Sequence, residues 1–311
     1  MKICIAGYIS YMTLDKEIQN KKTKYIILAF SVLILGTILI VGLKLLTVQL
    51  AKEYLRKAEN TTTNTDRLKY SETSAALNET EAAIVLAGES AYALKDYQLA
   101  IQYYTRLNNN VGKLGSAEAY YQLGRYDSAK ELFHDYSITD LTDSEYELLI
   151  KTDLSRGDIN SVRKELAGFK TDDPSRGFLN NTYCRIDYRE NPECSAIYVL
   201  DKINLTETDK TYLLSTAYNY FNTQSFPQTA LALLREGREK DLITRDGLNS
   251  LANTDETNGN LNLAYKELVE SLAKDQYYPQ TYQQLISVAE KLGDKTAVSE
   301  YQTILTGLYI T

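Results

Sequence analysis

Small side chains recur along this chain at a long and regular spacing. Ala100, Ala129, Val162, Ala196, Ala230, Ala264 and Val298 are separated by 29, 33, 34, 34, 34 and 34 residues. A period near 34 residues suits two short helices and their connections, so the spacing predicts a series of helical hairpins. If each small residue is position 20 of its unit, position 8 holds Gly88, Ala117, Ile150, Cys184, Ala217, Ala252 and Ile286. Small residues at both places let two helices approach closely. Position 24 holds Tyr104, Phe133, Leu166, Leu200, Leu234, Leu268 and Gln302, one turn beyond position 20 on the same face, and only the last departs from an apolar stripe. Near position 15 stand Gly124, Gly157, Gly259 and Gly293, where positive φ ends a helix without strain. Pro192 and Pro227 fall at the start of second helices, Pro279 at the start of a first helix and Pro174 between units, so none interrupts a helix.

Ahead of the hairpins the pattern changes. Tyr25 to Leu43, YIILAFSVLILGTILIVGL, carries no charge over 19 residues and as a helix spans about 28 Å, close to the thickness of bilayer hydrocarbon. It reads as a transmembrane helix: the run is longer than that of a cleaved signal peptide, and no small-x-small site follows it. Lys21, Lys22 and Lys24 favour an amino terminus inside and the remainder exported, although Lys44, Lys52, Arg56 and Lys57 make the bias modest. Glu59 to Thr80, rich in Thr, Asn and Ser, reads as a polar spacer. The expected organisation is a short cytoplasmic tail at 1–24, a transmembrane helix at 25–46, a juxtamembrane helix and polar linker at 47–79, and the hairpin array at 80–311.

Gly88 through Leu107, GESAYALKDYQLAIQYYTRL, and Ala117 through Tyr136, AEAYYQLGRYDSAKELFHDY, resemble tetratricopeptide repeats. They have the tyrosines of the first helix, the Asp-Tyr or Arg-Tyr turn and the Ala-x3-aromatic of the second. The units around Val162, Ala230, Ala264 and Val298 keep the period with less of the signature, and the unit around Ala196 is degenerate, with Asn180 and Glu193 at usually apolar places. The resemblance implies an all-α chain: one N-terminal transmembrane helix, then an α-solenoid of about seven hairpins in which each repeat shields its neighbour. It also resembles membrane-anchored bacterial envelope proteins of this family.

Arrays of this family present positions 9, 12 and 13 of each first helix to a concave groove, which implies a partner-binding set here. It comprises Glu89, Tyr92, Glu118, Tyr121 and Gln122 at an acidic-aromatic end. Lys151, Arg185, Tyr188, Arg189, Tyr218, Phe221 and Asn222 form a basic-aromatic stretch. Tyrosine gives large contact area with little rotamer entropy lost, yet each of these tyrosines fits inter-repeat packing equally well. The family's clamp for chaperone tails holds a terminal carboxylate with Lys at position 5 and Asn at position 9. Here those places hold Val85 with Glu89 and Leu114 with Glu118, so a cationic or apolar peptide suits this end better.

Chemistry beyond binding has little support in the composition. The single histidine, His134, leaves no acid–base partner for a hydrolytic triad. DETNGNLNLAYKE places its glycine and glutamate wrongly for a calcium loop, and GKLGS is too short for a phosphate loop. No enzyme activity, cofactor or metal is expected. After residue 57 the chain holds 25 basic against 38 acidic residues, a balance of −13, which disfavours nucleic acid. Cys184 and Cys194 could form one disulfide if exported, or stay as two small buried thiols, the favoured alternative. Ile304, Leu305, Leu308, Tyr309 and Ile310 make an apolar end suited to self-association or to docking on a membrane-protein partner. The function expected is a membrane-tethered, single-pass scaffold in envelope assembly or secretion, with a peptide-sensing ectodomain or a non-catalytic subunit of an envelope enzyme as alternatives.

Overall fold

The computed structural model describes the chain except residues 1, 135, 138–140, 168–176, 188–205 and 310–311; for 2–23 and 25–27 it gives the helical path only. Among the described residues there are fifteen helices and no strand. They fall into two compact units, residues 1–119 and 120–311.

In the first unit, α1 (Lys2–Asn60) is one continuous helix of 59 residues, about 88 Å long at the usual rise. From Leu28 to Leu46 its large apolar side chains are exposed, and the helix is long and apolar enough to cross a membrane. Its last turns leave the apolar pattern and become the first half of a hairpin with α2 (Asn64–Leu77). Ala51 and Ala58 are buried against it. The Ser74 hydroxyl donates to the Ala51 carbonyl at 2.8 Å, and the Tyr54 and Tyr70 rings lie 6.3 Å apart.

The stretch expected to be a polar spacer is thus mostly helical and packed. The reason lies in its small polar residues. Thr63 caps α2 by accepting from the Asp66 amide. The buried face is Ser71, Ser74 and Ala75, whose hydroxyls are satisfied by backbone carbonyls, so a close helix contact forms without large apolar side chains.

The first repeat is α3 (Glu81–Ala93) and α4 (Tyr97–Tyr104), followed by α5 (Asn110–Gln122), the first helix of the second repeat. The short 29-residue step between these repeats has a local cause. A Cβ on Gly112 would lie 2.5 Å from the Tyr104 carbonyl oxygen and 2.7 Å from Leu107 Cβ. Only glycine lets α5 begin so soon after α4. The Tyr104 ring then sits between Gly88 and Gly115, whose added Cβ atoms would fall 2.7 and 2.8 Å from it. That burial pushes the Tyr104 hydroxyl up to about 12.

The second unit continues with α6 (Tyr126–Glu131), α7 (Asp143–Arg156), α8 (Ile159–Leu166), α9 (Gly177–Ile186), α10 (Glu207–Thr223) and α11 (Pro227–Glu239). It ends with α12 (Arg245–Thr257), α13 (Leu261–Lys274), α14 (Pro279–Leu292) and α15 (Lys295–Leu308). Threonines open the first helices at Thr80, Thr142, Thr206 and Thr244, each accepting a backbone amide. Aspartates do the same for the second helices at Asp96, Asp158 and Asp294.

The residue just before that second cap has positive φ in the six repeats whose turn is described: Gly124, Gly157, Gly259 and Gly293, and also Lys95 (63°) and Ser225 (66°). Turn geometry is therefore a property of position 15 rather than of glycine. Neighbouring repeats share cores, as where Ala252, Ala264 and Leu268 meet Leu285 and Val288.

The residues expected to form the second helix of the fourth repeat, Pro192, Ala196 and Leu200 among them, lie outside the described residues. The fifth repeat reaches back to the third. Thr229 at the start of α11 donates to the Leu154 carbonyl, and Gly157 passes so near Gln228 that a Cβ would be 3.0 Å from its carbonyl oxygen. Arg163 on α8 pairs with Glu236 on α11 at 2.8 Å. In the last repeat Val298 and Ile286 are only half-buried and Gln302 is exposed, while Ala297, Leu285 and Ala289 fill the interior.

Candidate functional site

The first helices of repeats one and two carry Glu89, Tyr92 and Glu118 on one face of the first unit. Glu89 and Glu118 are exposed and Tyr92 is half-buried, its hydroxyl donating to Glu118 Oε1 at 2.9 Å. The Tyr92 ring also meets Tyr97 edge-on at 5.2 Å. In the second unit the Tyr121 ring lies 5.5 Å from that of Tyr126, tilted by 55°, with Gln122 exposed beside it. Positions 12 and 17 thus form a tyrosine pair inside each of these two hairpins. Packing and exposure are both true of these rings, since all four are half-buried.

The basic-aromatic stretch is more engaged than expected. Lys151 pairs with Glu147 and lies 5.0 Å from the Phe178 ring centre. Arg185 lies 4.6 Å from that of Tyr220 and donates to Asn181 Oδ1 at 2.7 Å. Tyr218 is half-buried against the Leu234, Ile243, Leu248 and Leu251 cluster, and Asn222 is exposed. Tyr188 and Arg189 lie outside the described residues.

Phe221 requires correction: it is fully buried and offers no surface to a partner. Ala217 stands 13 residues before Ala230, where the other hairpins have 12. Counted back from the positive-φ Ser225, Ala217 is position 7 and Phe221 is position 11, the interior place that Ala91, Asp153, Asp255 and Ala289 occupy elsewhere. Asn219, Asn222 and Thr223 then hold positions 9, 12 and 13.

Sequence reasoning missed the buried charges. Asp153 on α7 is fully buried, with Lys130 Nζ at 2.5 Å and Arg156 Nη1 at 3.0 Å. Lys130 also holds Glu165 on α8. In the sixth repeat Asp255 and Glu267 are both buried, with Arg238 Nη1 2.8 Å from Glu267 and Arg235 3.7 Å from Asp255. Burial pushes the Glu165 carboxyl up to about 7 against the pull of Lys130, and burial with the nearby Asp255 charge does the same for Glu267. Charged residues in an acidic chain look like solvated faces, and only the recurrence of Asp at position 11 with Glu at position 23 could have marked them.

Cys184 is buried and disulfide-bonded; Cys194 lies outside the described residues. At the carboxyl end Ile304 and Tyr309 are exposed, Leu305 and Leu308 half-buried, and Ile310 lies outside the described residues. Among the described residues no group of three or more His, Cys, Asp or Glu is placed to hold a metal.

These hairpins, with their common turn position and shared inter-repeat cores, define a tetratricopeptide-like helical repeat fold with one apolar N-terminal helix. No protein-family model matches the chain, and no curated relative matches it. Among solved structures it is similar to yeast Tom70, at 12% identity and a TM-score of 0.28, over 84% of this chain and 68% of that one.

Proposed function

We propose that this protein is a membrane-tethered adaptor that binds a protein or peptide partner along the faces of its first helices. The observation that carries the proposal is the exposed pair Glu89 and Glu118 on the first helices of neighbouring repeats in the first unit, with Tyr92 bonded to Glu118. Two exposed carboxylates and a neighbouring phenol suit a cationic peptide, through charge-assisted hydrogen bonds and a stacking surface. The tether is α1, whose exposed apolar stretch needs a lipid environment. The disulfide at Cys184 supports placing the repeats outside the cytoplasmic membrane with the amino terminus inside, because such bonds persist in oxidising compartments. That placement is compatible with the further reading that the adaptor serves envelope assembly or secretion.

The test is chemical crosslinking in native membranes with mass spectrometry of the captured chains, comparing the wild type with a Glu89→Lys, Glu118→Lys variant. The expected result is a captured chain with a basic segment that the double reversal loses. Equal capture by the variant would remove this face from the proposal.

A further inference from the structure

Two of the hairpins carry the same internal pair of acids. Asp153 and Glu165 occupy positions 11 and 23 of the third repeat, and Asp255 and Glu267 occupy the same positions of the sixth. In the first, second, fifth and seventh repeats these places hold Ala91 with Tyr103, Tyr120 with Leu132, Phe221 with Leu233, and Ala289 with Tyr301. In both acidic repeats the cation comes from the second helix of an adjacent repeat. Lys130 on α6 reaches Asp153 and Glu165, and Arg238 on α11 reaches Glu267. Each acid pair therefore sits at a joint between repeats, not merely within a hairpin.

Charge at both joints is out of balance. Around Glu165 the facing groups are Asp153, Arg156 and Lys130, with Asp127 and Asp158 drawing on Arg156 at 2.8 and 3.5 Å. That is four carboxyls beside two cations. The charges that α9 and α11 direct at α8 meet Arg163, which pairs with Asp187 and Glu236. Around Glu267 stand Asp255, Arg235, Arg238 and Glu270. Glu270 takes Arg238 in a two-point grip with both contacts at 2.8 Å. Lys291, the cation that α14 sends toward α12, pairs with Glu256 at 2.8 Å. Asp255 Oδ2 and Glu267 Oε2 are buried without a hydrogen-bond partner. A buried carboxylate oxygen lacking a donor is unfavourable, and the simplest donor for it is a proton shared with the facing acid.

We propose that the acid pairs Asp153–Glu165 and Asp255–Glu267 are two matched proton-operated joints, closed when each pair holds one proton and loosened when all four carboxyls are charged. Closing needs no ligand other than the proton itself. Loosening opens the contact of α7 with α8 and of α12 with α13, and so alters the spacing of first helices along the second unit. The joints belong to the second unit and involve neither Glu89 nor Glu118, so their behaviour does not depend on the binding proposal.

The experiment follows thermal unfolding and amide hydrogen exchange of the full-length protein in lipid nanodiscs between pH 5.5 and 8.5, with exchange corrected for its intrinsic pH dependence. The wild type is expected to unfold at lower temperature and to exchange faster in α7, α8, α12 and α13 at the alkaline end. The Glu165→Gln, Glu267→Gln double variant, which mimics the protonated state, is expected to flatten both profiles. Asp153→Asn and Asp255→Asn, which remove the facing charge, should move the transition to lower pH. If the Gln variant fails to fold, the Asn variants carry the test alone. A pH profile in the wild type that none of these substitutions shifts overturns the proposal, as does exchange in those four helices that is equal at the two ends of the range.

Discussion

At the scale of single residues, the turn position separates sequence preference from geometric demand. Lys95 and Ser225 adopt the left-handed conformation that glycine occupies in the equivalent place of four other hairpins. A side chain there carries strain of about 1 kcal/mol or more, only partly returned by the lower entropy of a non-glycine unfolded chain. Lys95→Gly and Ser225→Gly are each expected to stabilise the protein by about 1 kcal/mol in denaturant unfolding.

Gly112 lies at the opposite extreme. Alanine there meets two main-chain carbonyls and a Cβ within 2.7 Å; backbone cannot step aside, so Gly112→Ala should destabilise by about 1–3 kcal/mol on the same measurement. The buried glutamates add a pH dependence whose sign is fixed. Glu165 and Glu267 rise from 4.5 to about 7 on folding, so their protonated forms favour the folded state. That contribution is complete below the unfolded value and is lost as pH rises through about 7.

Among elements, α2 shows what a composition rule conceals. Its sequence, NTDRLKYSETSAAL, has the polarity of a linker, but serine and alanine at spacings of three and four make a narrow face that packs as closely as a leucine stripe. The turn glycines and the small residues at position 20 were legible because backbone geometry and close approach admit few alternatives. Ser71 and Ser74 were not, because a hydroxyl satisfied by a carbonyl leaves no trace in hydropathy.

The fifth repeat was misread for a related reason. One extra residue between Ala217 and Ala230 rotates the first helix by about 100°, which moved Phe221 from the expected partner face to the interior. The acidic-aromatic residues Glu89, Tyr92 and Glu118 could be read because nothing rotates their helices out of register. Limited trypsin digestion distinguishes a packed α2 from a spacer. Arg67 and Lys69 are expected to resist cleavage until the repeats unfold, whereas an extended tether would be cut there first.

For the molecule as a whole, the apolar helix runs without a break into a packed hairpin, which bears on the adaptor proposed above. The first unit has no free joint between its apolar stretch and its first hairpins, because α1 continues to Asn60 and α2 folds back on it. Under the proposed adaptor function, a partner bound to the first unit would sit at a set distance from the bilayer.

Photocrosslinking in intact membranes bears on this most directly, with a benzophenone amino acid placed at Tyr92 on the first helix of repeat one, or at the exposed Gln98 on its second helix. A discrete crosslinked product from position 92 and none from position 98 is the expected outcome. Products of equal yield from both positions, or from position 98 alone, would contradict binding along the first-helix face.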